Sequence, residues 1–242
     1  MPWHVPTVIP LPDDFIGFDP ASTLPAEGFT AYERHLPHWR LPGACYFATF
    51  RLRDSIPQAI LKEMKREHEQ WQKRLAQAAT ASDGRLPPDE AAAWQEFQRT
   101  RLRKLESTLD EGHGECLLRD PAHRRIVTRA LHHFEGQRCE MLAYAVMPNH
   151  VHALCRPLAG HCLEDLCGSW KWFTAQQIQK ALHRTGPLWQ EESFDRLIRD
   201  AEHYSTTVRY IAKNPMKAHL GEEEATVWFC EGIRDANAGA DS

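Results

Sequence analysis

Apolar and polar residues follow two different periods along the chain. Three segments are rich in β-branched, aromatic and other apolar residues, which is typical of buried strands: residues 45–52, 139–147 and 150–157. A shorter strand is predicted around Leu188 to Ile198. Only Pro148-Asn149 separates the second strand from the third, so these two strands are expected to be adjacent and antiparallel.

Other segments carry apolar residues every three or four positions, which predicts helices. The helix over 120–136 is the best marked, because Asp120 can cap its start, Pro121 fits its first turn and Gly136 can end it. Two further helices are predicted at about 163–182 and 201–213. Between the first and second strands, about 57–111 predicts two helices broken at 82–88, which is a helical-hairpin insertion.

The resulting order is strand, helical insertion, helix, strand, strand, helix, strand, helix. This order predicts an α+β fold, a ferredoxin-like or RRM-like antiparallel sheet with helices on one face and the helical hairpin inserted. The expected division is an N-terminal arm over 1–40, rich in proline, one domain over 41–222 and a C-terminal tail over 223–242.

The bulk composition narrows the classes of function. The formal net charge of -4 excludes nucleic-acid binding through an overall positive charge, so any DNA site must be a local patch. Seven cysteines without a CxxC pair indicate a reduced, cytoplasmic chain. No apolar run approaches the roughly 20 residues that span a bilayer, and no leader is evident, so no membrane partner is expected.

His150 and His152 are candidate metal ligands. They are two apart in a predicted strand, so both imidazoles project from one face and are close enough to share a cation. With 14 histidines in the chain, such a pair can also arise by chance. A histidine-triad hydrolase would need a third histidine where Leu154 stands, and a two-histidine phosphoesterase would need a second His-x-Thr/Ser motif, which is not found.

Tyr210 and Asn214 are four apart in the last predicted helix, so they share one face. Pro215 disfavours the helical conformation at the residue before it, which places Asn214 in the final turn. Taken alone, a helical tyrosine is usually a packing residue.

The combination of the two motifs resembles one family. Pro148-Asn149-His150-Val151-His152, followed by Tyr210-Ile211-Ala212-Lys213-Asn214-Pro215-Met216-Lys217-Ala218, is similar to the REP-associated tyrosine transposases, of the single-tyrosine HUH class of insertion-sequence transposases. Further matches lie at Leu36 to Trp39, Tyr46 to Leu52 and Trp189 to Asp200, so the resemblance runs from about residue 32 to 222.

This resemblance implies a role for each motif residue. His150 and His152 match the histidines of the HUH motif, Tyr210 the attacking tyrosine, and Asn214 the polar third metal ligand. Two imidazoles and one amide leave coordination positions for a phosphate and suit Mg²⁺ or Mn²⁺ better than a closed zinc site.

The expected partner is single-stranded or hairpin DNA, and a homodimer is possible. Trp39 could stack on an unpaired base or pack in the core. Basic residues near the motifs are candidates for phosphate contacts, with solvated surface charge as the alternative: Lys171, Arg196, Arg199, Arg209, Lys213 and Lys217.

The resemblance therefore implies a transposase that cuts and rejoins single-stranded DNA at palindromic hairpins through a covalent phosphotyrosine. The alternative is a hairpin-DNA-binding protein that has lost catalysis.

Overall fold

The computed structural model describes residues 3–19, 29–33, 37–81 and 85–238, and only the backbone of 31–33 and 37–39. The chain divides into two compact units. The first, called the sheet unit, comprises Met1–Arg53 and Cys116–Ser242; the second, called the hairpin unit, comprises Asp54–Glu115. Among the described residues, none of the helices has the length and apolar character that spanning a membrane requires.

A five-stranded antiparallel sheet forms the centre of the sheet unit. Its strands are β3 (Tyr46–Arg51), β4 (Cys139–Val146), β5 (His150–Pro157), β6 (Phe194–Leu197) and β7 (Thr226–Phe229), and their order is β6-β3-β5-β4-β7. The predicted α+β class with an antiparallel sheet is confirmed. The strand order places β5 in the middle, where it pairs with β3 on one side and β4 on the other.

Helices cover both faces of this sheet. On one face α3 (Pro121–His132) and α4 (Leu163–Ala181) pack against side chains such as Phe50 and Val151. On the other, α5 (Ala201–Lys217) packs against Phe47 and Leu154. The expectation of helices on one face therefore describes α3 and α4 but not α5, because the strands carry apolar residues at both alternating sets of positions and both faces need cover.

The start of each helix follows its local sequence. Asp120 accepts a hydrogen bond from the backbone nitrogen of Ala122 and caps α3, as predicted. Asp200 caps α5 in the same way through the backbone nitrogen of His203. Helix α5 extends to Lys217, four residues past the predicted end, with Pro215 inside it. A proline so near the end removes only one hydrogen bond of the helix, and Pro215 is buried there.

The segment predicted as a C-terminal tail, 223–242, instead contributes the edge strand β7 and the short helix α6 (Glu231–Asp235). Phe229 and Ile233 pack in the same core as α5, which explains why this segment joins the sheet. The other predicted boundaries, 1–40 and 41–222, stay a prediction.

The N-terminal residues 3–19 run along α5 and contact the chain just before and just after that helix. The indole nitrogen of Trp3 donates to the carbonyl oxygen of Leu220 at 2.9 Å, and the backbone nitrogen of Phe18 donates to that of Arg199 at 2.7 Å. Asn237 holds the middle of this segment through hydrogen bonds with Thr7 and Val8. Two short strands follow, β1 (Thr30–Glu33) and β2 (Pro37–Arg40), which pair with each other and which the sequence pattern did not predict.

The hairpin unit consists of α1 (Gln58–Ala81) and α2 (Pro88–Asp110), the two helices predicted for the insertion. Trp71, Trp94 and Phe97 form an aromatic cluster between them, with ring centroids 5.2 to 6.0 Å apart. Arg74 of α1 forms a salt bridge with Glu90 of α2 at 2.8 Å. The two helices are thus held together by apolar and ionic contacts along their length.

Candidate active site

His150 and His152 form a closely spaced pair on the central strand β5. The alternation of the strand directs both rings to the face covered by α5, since Leu154, two residues further, packs in the core of that face. Their Nε2 atoms are 3.0 Å apart, and the two side chains are 0% and 1% exposed. The pair predicted from the His-x-His spacing is therefore brought together by the strand itself.

The outer nitrogen of each ring has a neutral hydrogen-bond partner. His150 Nδ1 lies 2.7 Å from Oδ1 of Asn149, and His152 Nδ1 lies 2.8 Å from Oγ1 of Thr49. Asn149 belongs to the turn before β5, whereas Thr49 is the direct partner of His152 across the β3–β5 ladder. Both Nε2 atoms are thereby left to face each other.

Burial keeps both imidazoles neutral. Desolvation lowers the pKa of His150 to about 3, and the nearby Asn214 amide offsets part of that shift. Desolvation also lowers the pKa of His152 well below its usual value, and the neighbouring His150 and the positive charges of Arg196 and Lys217 lower it further. Neutral imidazoles are the form that binds metal ions.

Tyr210 and Asn214 lie on the side of α5 that faces the histidines. The ring of Tyr210 stands edge-on to His152, with centroids 5.2 Å apart, and edge-on to Phe47 at 5.7 Å. Phe47 in turn stacks on His152 at 5.3 Å. Asn214 is fully buried one turn after Tyr210, next to His150. The structure thus brings together the four residues that the two motifs singled out.

The donor set fits a small divalent cation. Metal–nitrogen bonds of about 2.1 Å that meet at a right angle place two nitrogens about 3.0 Å apart, which is the observed separation of the two Nε2 atoms. The amide oxygen and nitrogen of Asn214 are buried without a well-formed hydrogen bond in the described part of the chain, so the oxygen is available as a ligand. The described residues hold no cluster of three or more His, Cys, Asp and Glu side chains suited to a metal. The amide oxygen of Asn214 could therefore complete a set of three donors with the two imidazoles.

Two of the predicted basic residues lie at this site. The Nζ atom of Lys217 is 4.7 Å from the centre of the Tyr210 ring, and the guanidinium of Arg196 is 5.3 Å from the centre of the Phe47 ring. Arg209 and Lys213 are exposed on α5, the same helix as Tyr210. Together these four cations give the Tyr210 region a local positive charge on an acidic protein.

The remaining predicted DNA contacts are placed elsewhere or not described. Lys171 lies on α4, on the opposite face of the sheet, where its ammonium donates to the carbonyl oxygen of Glu191. Arg199 is exposed in the loop before α5. The side chain of Trp39 lies outside the described residues, as does Leu36 of the same motif.

Three residues of the site were not assigned from the sequence: Phe47, Thr49 and Asn149. Asn149 stands in the Pro-Asn-His motif, so its position next to His150 could have drawn attention to it. Thr49 and Phe47 reach the site only through the register of β3 against β5, which pairs Thr49 with His152 and Phe47 with Leu154. Nothing local in the sequence specifies that register.

The fold and this site define an α+β domain in which a histidine pair on the central strand faces a tyrosine helix. Residues 116–214 match the model of a family described as "Transposase IS200 like". The suspected relationship to these transposases is confirmed over this segment, which contains both histidines, Tyr210 and Asn214.

A solved structure of a REP-associated tyrosine transposase bound to a REP hairpin is similar over 80% of this chain and 76% of that chain, with 16% identity and a TM-score of 0.43. None of the curated proteins compared with the chain matches it.

Proposed function

We propose that this protein cleaves and rejoins single-stranded DNA, with Tyr210 as the nucleophile and a divalent cation held by His150, His152 and Asn214. The observation that carries the proposal is the packing of the Tyr210 ring against His152, whose Nε2 atom is 3.0 Å from that of His150. The candidate nucleophile thereby stands beside two neutral imidazoles that can bind a metal ion. All three residues lie in the segment that matches a family of transposases.

The cation, Mg²⁺ or Mn²⁺, would neutralise charge on the non-bridging oxygens of the scissile phosphate. The Tyr210 oxygen attacks the phosphorus as its proton passes to solvent, and the bond from phosphorus to the departing 3′ oxygen breaks. That oxygen takes up a proton and leaves as a 3′ hydroxyl, while the 5′ phosphate of the other DNA end remains joined to Tyr210. A tyrosine hydroxyl is ordinarily protonated at neutral pH, so the attacking oxygen must lose its proton. Lys217 lies beside the ring, with its Nζ atom 4.7 Å from the ring centre, where its positive charge can attract the phosphate of the strand.

The covalent bond explains why a tyrosine suits strand transfer. The phosphotyrosine retains the energy of the phosphodiester, so a DNA 3′ hydroxyl can attack it and reseal the strand without ATP. A nuclease that activates water would lose this energy. Arg196, Lys217 and the exposed Arg209 and Lys213 are proposed to contact the backbone of the strand.

The proposed substrate is single-stranded DNA that folds into a palindromic hairpin. This follows the resemblance of the two motifs to the REP-associated tyrosine transposases. Lys217 lies beside the ring of the candidate nucleophile, and Arg209 and Lys213 are exposed on the same helix, so α5 offers cations to the phosphates of a bound strand.

The test is a cleavage assay with a labelled palindromic single strand and Mn²⁺. Tyr210→Phe should abolish cleavage and leave DNA binding within a few-fold of wild type, because only the nucleophilic oxygen is removed. Tyr204→Phe, a buried tyrosine on the same helix, is the matched control and should cut normally. Undiminished cutting by Tyr210→Phe would reject the mechanism, and binding without any cutting by wild type would favour an inactive hairpin-binding protein.

A further inference from the structure

The hydrogen bonds behind the two imidazoles determine where each ring carries its proton. Oδ1 of Asn149, 2.7 Å from His150 Nδ1, is a carbonyl oxygen and can only accept, so Nδ1 carries the hydrogen. The ring is buried among neutral partners, which disfavours a second proton and a charge. His150 therefore presents a bare Nε2 lone pair.

His152 must then be in the opposite tautomer. Its Nε2 lies 3.0 Å from the bare Nε2 of His150, and two lone pairs at that distance would repel each other, so His152 Nε2 carries the hydrogen and donates it. The Nδ1 atom of His152 is consequently bare. It accepts a hydrogen bond from the hydroxyl of Thr49, whose Oγ1 is 2.8 Å away.

A cation shared by the pair needs lone pairs on both Nε2 atoms. His150 already offers one, but His152 must lose the hydrogen on Nε2 and gain one on Nδ1, with no net change in its proton count. The Thr49 group must then accept from Nδ1 instead of donating to it. A hydroxyl can do both by rotating about its C–O bond, whereas an amide oxygen or an amide NH₂ can do only one.

We propose that Asn149 and Thr49 are positioning residues with different tasks. Asn149 locks His150 in the tautomer that binds a cation, and Thr49 lets His152 change tautomer when the cation arrives. This inference rests on the proposed function, since it concerns the same cation, but the tautomers without a cation can be tested by themselves. Both residues act through the histidines and do not touch the cation.

The test is ¹⁵N NMR of the histidine side chains of the full chain at neutral pH, first without a divalent ion and then with Mg²⁺. His150→Gln and His152→Gln identify the two rings by the loss of their signals. Without Mg²⁺, His150 should be protonated on Nδ1 and His152 on Nε2. With Mg²⁺, both rings should be protonated on Nδ1.

Variants at Thr49 separate the hydroxyl from the shape of the side chain. Thr49→Val should lower the Mg²⁺ affinity by about ten- to hundredfold, the usual effect of losing the partner of a metal-binding histidine, and Thr49→Ser should restore it to within a few-fold. Thr207→Val is the matched control, because Thr207 is also buried but bonds the carbonyl oxygen of His203 on its own helix. Asn149→Ala should give His150 a mixture of tautomers.

Equal tautomers on both rings without a cation would overturn the proposed tasks of both Asn149 and Thr49. Unchanged Mg²⁺ affinity in Thr49→Val would overturn the task of Thr49 alone. A wild-type protein whose tautomers are as described but which shows no response to Mg²⁺ or Mn²⁺ would instead overturn the ligand set of the proposed function, and with it the change of tautomer.

Discussion

The candidate metal site consists of the two neutral, closely spaced imidazoles of the histidine pair and the amide of Asn214 beside them. His150→Ala and His152→Ala should each lower the Mn²⁺ affinity at least about tenfold, because each removes a direct ligand. Asn214→Ala should have a milder effect, since a water molecule can replace one amide oxygen. Isothermal titration calorimetry measures these affinities, and His161→Ala, an exposed histidine in the turn after β5, is the control. Unchanged affinity in both histidine variants would show that the ion binds elsewhere.

The lowered pKa of His150 predicts how stability depends on pH. Because the folded-state pKa of about 3 is below the ordinary 6.5, the unfolded chain binds more protons between these values. The contribution to stability is therefore present above pH 6.5 and is lost as the pH falls toward 3. At pH 5 the loss is about 2 kcal/mol for one such group.

Urea unfolding at pH 7.5 and pH 5, without divalent ions, checks this prediction. The wild-type protein should lose about 2 kcal/mol more than His150→Gln between the two pH values. The comparison removes the contributions of histidines outside the pair, such as His132 and His203, whose pKa values are also lowered by burial. An equal loss in both proteins would mean that His150 is not kept neutral by the fold.

Among the structural elements, α5 is the one whose placement matters most to the proposed chemistry, and the N-terminal segment lies along it. Asn237 joins this segment to α6, accepting from Thr7 and Val8 and donating to the carbonyl oxygens of Val8 and Ile233. Asn237→Ala should lower the free energy of unfolding by about 2 kcal/mol, because it removes the part-buried hydrogen bonds to Thr7 and Val8 and the buried one to the carbonyl oxygen of Ile233.

The same variant should also expose residues 3–19 to proteolysis, which can be followed by the rate of cleavage in that segment. Asp235→Ala, at an exposed position of α6, is the control. Wild-type stability and unchanged proteolysis in Asn237→Ala would contradict the view that this side chain fastens the N-terminal segment.

Much of this arrangement follows from local sequence periods. His150 and His152 are two apart on β5 and share one face of the strand, and Tyr210 and Asn214 are four apart on α5 and share one face of the helix. Each half of the site was therefore predictable. The side of the sheet on which α5 lies was not predictable, because both faces of the strands are apolar. Thr49 and β7 were missed for a related reason, since strand pairing joins residues far apart in the chain.

Because the whole molecule divides into two units, the insertion can be removed without removing any residue of the candidate site. All four motif residues belong to the sheet unit, and the base of the hairpin unit is closed by the hydrogen bond from the backbone nitrogen of Glu115 to Asp54 at 2.7 Å. The ends of the insertion are therefore close enough for a short linker.

Replacement of Gln58–Asp110 by a short glycine–serine linker should give a folded protein with wild-type Mn²⁺ affinity. Circular dichroism should show the loss of helix expected for α1 and α2, and calorimetry should show unchanged binding. An unfolded product, or a large loss of Mn²⁺ affinity, would show that the sheet unit depends on the insertion.

The central claim is that Tyr210 becomes covalently joined to DNA. The most direct measurement is mass spectrometry of the protein after incubation with a palindromic single strand and Mn²⁺, followed by digestion of the DNA and of the protein. The account predicts a nucleotide attached through a phosphate to the peptide that contains Tyr210, and its absence in Tyr210→Phe. Cleaved DNA without any modified peptide, or a nucleotide attached to a different residue, would contradict it.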